Sequence, residues 1–156
     1  MSNMIKLARE RKYPYIVNYI SDSGYKKAWE WAGSKNGQVD IKEIPEEVVE
    51  YLRMNTSTFD DGELKIIEDS EEAKEIVSNL GEGYENNVHS RDEIIKLLQG
   101  NFNKMKSEIS KITDKQELVF ICDIAKEIDL DSSIKLAYLA EVLKMPQDIL
   151  FAKDSE

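Results

Sequence analysis

The sequence predicts a mainly α fold, with a C-terminal helical bundle over about residues 90–153 and a smaller α+β N-terminal part that contains one short β-hairpin. Three observations predict it. The last 67 residues carry repeated helix-start signals, each followed by apolar residues at helical spacing. Pro45 and Ser70 open two further amphipathic stretches with Glu residues placed against the positive end of the helix dipole. Val39–Ile41 and Leu64–Ile67 are the short stretches read as strands outright among turn residues. The chain is 156 residues long, enough for one ordinary domain or two small ones. The expected division is a mixed region 1–89 and a helical bundle 90–156, packed as one unit.

From the N-terminus, Tyr13 to Ile20 is apolar and aromatic with Pro14 near its start, a short helix or an edge strand. Tyr25 to Ala32 reads as a helix ending near Gly33, because Ala28, Trp29, Trp31 and Ala32 cluster on it. Ser34-Lys35-Asn36-Gly37 is a turn. Val39 and Ile41 alternate with Asp40 and Lys42, as in a short strand. A helix runs from Pro45 to about Met54, carrying Val48, Val49 and Leu52. Residues 55–63 form the longest loop signal, with Asp61-Gly62 as its turn. Leu64, Ile66 and Ile67 follow as a strand expected to pair with 38–42. Asp69 or Ser70 caps a helix through Leu80, which Gly81 and Gly83 end. Residues 82–89 read as a second loop.

The last segment is read more firmly. Ser90 and Glu93 have capping-box spacing. One helix is expected from there to Ile112, with Ile94, Leu98, Phe102, Met105 and Ile109 on its apolar seam and Gly100 inside it. Thr113 to Gln116 is a second capping box, opening a helix with Leu118, Ile121, Cys122, Ile124 and Ala125. Asp131 or Ser132 caps a third helix to Leu143, and Pro146 begins a terminal turn. The two central helices are apolar over most of their circumference, so the rest of the chain or another subunit must cover them. The stretch Leu139–Leu150 resembles helix pairs beside helix-turn-helix repressor domains and the last helices of tellurite-resistance-type domains. Leu/Ala spacing of this kind belongs to any packed helix pair and assigns no family.

Charge divides the chain unevenly. There are 31 Asp and Glu against 21 Lys and Arg, a net charge of −10. Residues 1–42 sum to +4, residues 43–99 to −11 and residues 100–156 to −3. Such a balance opposes a general phosphate-backbone binder. One cysteine excludes a disulfide scaffold and any multi-cysteine zinc site. No apolar run approaches a membrane span, and the N-terminus has no secretory pattern, so a cytoplasmic location is expected.

Catalytic chemistry finds no constellation. His89 is the one histidine and lies in a polar stretch, where the sequence identifies no triad around it. Cys122 lies among apolar neighbours with no cation beside it to favour a thiolate. Asp129 to Ser133 starts like a calcium loop, but Ile134 and Ala140 occupy the positions that need Gly and Glu. Gly81-Glu82-Gly83 lacks phosphate-loop spacing. No catalytic, cofactor-binding or metal-ligating residue is therefore expected.

The expected function is a non-enzymatic interaction or regulatory protein that self-associates through its helices. Its partner is expected to be a protein, with a basic surface complementary to the acidic centre. The candidate partner-binding residues are Trp29, Trp31, Glu46, Glu47, Asp60, Asp61, Glu68, Asp69, Glu71 and Glu72. The alternatives are a nucleic-acid-binding regulator using Lys6, Arg9, Arg11, Lys12, Lys26 and Lys27 with the aromatics among them, and a carboxylate-based enzyme.

Overall fold

The computed structural model describes residues 3–35 and 37–151. Helices take 47% of the structure and strands 19%. The fold is mixed α+β, which corrects the mainly α expectation. The chain separates into two compact units, Met1–His89 and Ser90–Glu156.

The first unit contains both sheets. Strand β1 (Met4–Arg9) lies between β4 (Asp40–Pro45) and β5 (Lys65–Ile66), antiparallel to each. Ile5 faces Ile44 and Leu7 faces Ile66. The 64–67 segment therefore pairs with β1, which corrects the expected pairing with 38–42. The sequence assigns no strand to 4–9, because the Ile5/Leu7 alternation is short and Arg9 takes its next inward position.

The second sheet is a hairpin of β2 (Tyr15–Ile20) and β3 (Lys26–Trp31). The expected helix over 25–32 is a strand. Trp29 and Trp31, two apart, share a strand face, whereas on a helix they would diverge. The hairpin register puts Trp31 opposite Tyr15 and Trp29 opposite Val17. Ser21 donates its amide to Tyr25 and Gly24 donates to Ser21, closing a three-residue loop with Gly24 at φ +88°. Loops of this length need a residue in the left-handed region, which Gly enters at little cost. Trp31 is 0% exposed, and its indole Nε1 donates to the Leu7 carbonyl at 2.9 Å.

Helix α1 (Glu46–Asn55) starts after Pro45 and buries Val48, Val49 and Leu52. Helix α2 (Glu71–Ser78) is capped by Ser70, whose side chain accepts the Ala73 amide, and buries Ala73 and Ile76. The second expected loop holds a short helix instead, α3 (Glu82–Asn87). Its Tyr84 hydroxyl accepts the Ile66 amide at 3.0 Å, so it supplies an acceptor that edge strand β5 lacks. The core of this unit gathers Ile5, Leu7, Trp31, Ile44, Leu52, Phe59 and Leu64.

The second unit is helical throughout. Ser90 and Glu93 make the reciprocal capping box. The single long helix expected to Ile112 is two, α4 (Arg91–Gln99) and α5 (Phe102–Ser110). Gly100 ends the first, and Asn101 starts the second by accepting the Asn103 and Lys104 amides. Lys135 fixes the break, donating to the Leu98 and Gly100 carbonyls at 2.6 and 2.7 Å. Ile94, Leu98, Met105 and Ile109 all remain buried, so the apolar seam survives the break.

Helix α6 (Lys115–Glu127) follows with Asp114 at its N-cap position, and not Thr113 as the expected second capping box requires. It ends with Asp129 at φ +52°, while Leu130 donates back to Ala125 at 3.0 Å. The calcium-like Asp129–Ser133 stretch is thus a helix terminus. Helix α7 (Ser133–Leu143) ends in the same way, with Lys144 at φ +56° and Met145 donating to Ala140. A short α8 (Gln147–Leu150) closes the described chain.

Candidate functional site

The basic N-terminal segment and the acidic middle are opposites in sequence and neighbours in the fold. Arg9 ends β1 at 4% exposure, and Arg11 follows at 2%. Burial of two guanidiniums is costly unless charge and hydrogen bonds compensate. Glu63 supplies the charge. Its carboxylate lies 3.7 Å from Arg9 Nη1 and pairs directly with Arg11 Nη1. Arg9 also donates to the Tyr13 carbonyl at 2.8 Å and the Glu63 carbonyl at 2.7 Å. Its guanidinium sits 5.1 Å from the centre of the Tyr15 ring.

These donors organise the loop at 56–64. Arg11 Nη2 donates to the Asp61 carbonyl at 2.6 Å, and Asn87 Nδ2 donates to the Asp60 carbonyl at 2.8 Å. Backbone carbonyls that lose water on folding require such partners. Tyr15 and Thr58 share a hydroxyl hydrogen bond of 2.8 Å. Burial pushes the Tyr15 phenol above its ordinary pKa, with the Thr58 bond opposing it. Gly62 completes the turn at φ +73°. A Cβ there would lie 2.1 Å from the Asn87 carbonyl oxygen. Sequence reading marked the Asp-Gly turn but missed its buried counterparts, Arg9, Arg11, Thr58 and Asn87. The available signal was an Arg-x-Arg pair directly after an apolar alternation.

The basic alternative fares differently from its appearance in sequence. Arg9 and Arg11 face inward. Lys6 pairs with Asp69 at 2.8 Å, and that hydrogen bond raises Lys6 and lowers Asp69 from their ordinary values. Tyr19 packs edge-on against Tyr51 at 5.0 Å, and Lys27 lies 4.8 Å above the Trp29 ring. Tyr13 and Tyr25 are the aromatics of the segment that face solvent.

The candidate partner-binding residues are dispersed over the first unit. Trp31 is fully buried, so it offers no contact surface in this fold. Trp29 is half-buried against the core. Glu46 and Glu47 open α1, where Glu46 lies 3.4 Å from the Asn3 side chain. Asp60 and Asp61 sit in the loop whose carbonyls Asn87 and Arg11 hold. Glu68, Asp69, Glu71 and Glu72 form one continuous exposed approach to α2, which Glu75 extends. Their described cationic partners are Lys6 on Asp69 and Lys74 on Glu71, the latter at 3.8 Å.

Cys122 is buried, and its burial pushes the thiol up to about 12, with Asp123 adding to the effect. A thiol held there is protonated near neutral pH and is a poor nucleophile. His89 follows α3 and is half-buried. No group of three or more His, Cys, Asp or Glu is arranged to hold a metal among the described residues. No described helix is long and apolar enough to cross a membrane.

Residues 3–82 match the family model of the YonA N-terminal domain. The chain belongs to that family. Residues 90–149 match the model of the YonA C-terminal domain, so the two matches fall on the two compact units in turn. Neither a curated protein nor a solved structure matches the chain.

Proposed function

We propose that this YonA-domain protein is a non-enzymatic binding protein whose α2 approach docks a basic surface of a protein partner in the cytoplasm. One observation carries the reading. Glu68, Asp69, Glu71, Glu72 and Glu75 are all exposed within eight residues. Like charges held this close repel each other, and a cationic partner relieves that repulsion. Complementary fields of this kind raise association rates and select partners. Within the stretch, the Ser70 side chain caps α2 by accepting the Ala73 amide, which fixes the first turn that carries Glu71 and Glu72. Trp29 is left out of the proposed contact, and Trp31 serves the core.

The test is affinity capture from the native host with two baits. One is the wild-type chain, and the other carries Glu68→Gln, Asp69→Asn, Glu71→Gln and Glu72→Gln. A basic protein retained by the first, released by moderate salt and lost from the second supports the reading. Equal recovery on both baits overturns it. Tryptophan fluorescence of both baits, which reports the core around Trp31, controls for misfolding.

A further inference from the structure

The outer face of the β2–β3 hairpin carries an independent surface. Its inner face, with Tyr15, Val17, Tyr19, Trp29 and Trp31, packs on the core. Its outer face holds three cross-strand rows: Ile16 with Glu30, Asn18 with Ala28, and Ile20 with Lys26. Ile16 is 55% exposed and Ile20 49%. Asn18, Lys26, Ala28 and Glu30 are exposed as well. Neither Lys26 nor Glu30 makes an ion pair among the described residues.

We infer that this face docks a second copy of the same chain about a two-fold axis. The axis lies between the stacked faces, across the strands and level with the Asn18–Ala28 row. Rotation about it inverts the order of rows and leaves each strand over its own counterpart. Ile16 then meets Ile20 of the other copy, and Glu30 meets Lys26. Each of these contacts occurs twice. Asn18 meets its own equivalent, as does Ala28, whose small side chain admits close approach at the centre. Such self-complementarity is what an isologous two-fold contact requires. Other occupants gain no comparable match, because the face is charge-balanced and its charges lie at opposite ends.

The size of the face sets the strength. Two six-residue strands present a footprint of about 20 by 10 Å. Stable interfaces cover about 800 Å² per partner, so this contact belongs to the weak, reversible class. It is independent of the α2 reading, since none of its residues lies in the acidic stretch.

Sedimentation velocity on the full chain, from low micromolar to millimolar concentration, tests it. The wild type forms dimers as concentration rises. Lys26→Glu and Glu30→Lys each weaken association by about tenfold, because each places like charges opposite one another. An equimolar mixture of these two variants regains wild-type association, since every Glu then faces a Lys. The double variant Lys26→Glu/Glu30→Lys regains it alone. A monomer at every concentration overturns the inference. So does association that neither single change weakens, or a mixture that fails to recover. Association abolished by Ile134→Ser with Ile149→Ser, and not by the charge changes, would place the contact on the helical unit and overturn it too.

Discussion

Replacing Glu63 by Gln removes the carboxylate that two buried guanidiniums share, while leaving the side chain's shape almost unchanged. Breaking a fully buried ion pair from one side costs about 3–5 kcal/mol. Two facts reduce that figure here. The Glu63 side chain is 21% exposed, so water screens part of the charge. Arg9 and Arg11 also keep their carbonyl acceptors on Tyr13, Glu63 and Asp61. A loss of about 2–3 kcal/mol remains. The assay is urea unfolding followed by tryptophan fluorescence. Both tryptophans, Trp29 and Trp31, lie in the first unit, so the signal reports that unit without the helical one. With a slope of about 1.5 kcal/mol per molar urea, the midpoint falls by about 1.3–2 M. Arg11→Met adds a further loss alone, but less in the Glu63→Gln background, with a coupling of about 1–2 kcal/mol. A midpoint shift equivalent to less than about 0.5 kcal/mol, the range of ordinary surface substitutions, would refute the reasoning.

Four other predictions follow from local geometry. Gly62→Ala lowers stability by more than about 2 kcal/mol, because its Cβ meets the Asn87 backbone 2.1 Å away at φ +73°. Gly24→Ala at φ +88° has open space around it and costs about 1 kcal/mol; fluorescence-monitored unfolding separates the two, and equal costs would contradict the steric account. Lys144→Gly stabilises the helical unit by about 0.5–1 kcal/mol, because a side chain at φ +56° is strained there, and a thermal melt followed by helical circular dichroism reads the gain. Cys122 resists a thiol-specific disulfide reagent at pH 8 in the native protein and reacts at once in urea. Because the folded thiol titrates at about 12 against an ordinary 9.0, its contribution to stability is intact below pH 9 and declines as pH rises through that window. Rapid native labelling at pH 8 would contradict the burial.

The helical unit was largely legible because its determinants are local. Ser90 and Glu93 cap through neighbouring backbone groups, and Leu98, Met105 and Ile109 keep helical spacing. The break at Gly100 escaped notice because the seam reads through it, and its clamp, Lys135, is 35 residues away. The first unit was harder, because its pairings are non-local. β1 finds its partners 31–41 residues on in β4 and 57–59 residues on in β5, and its inward Arg9 disguises a central strand. The hairpin was misread from the Ala/Trp cluster at 28–32, although Asp22-Ser23-Gly24 between Tyr/Ile/Val-rich and Lys/Trp segments carries a hairpin signal. Acidic residues were visible as composition. Which of them share a surface and which sit beside buried cations depends on Arg9, Arg11 and Lys6, and that is a property of the folded chain.

The proposed function is tested most directly by zero-length carbodiimide cross-linking of the chain in extracts of its native host, with the joined peptides sequenced by mass spectrometry. Carbodiimide joins a carboxylate to an amine in direct contact. The expected result is a single protein partner joined through its lysines to Glu68, Asp69, Glu71 or Glu72, with the links lost at high salt. Links that arise only from other carboxylates, or none from the α2 approach, would contradict the proposal.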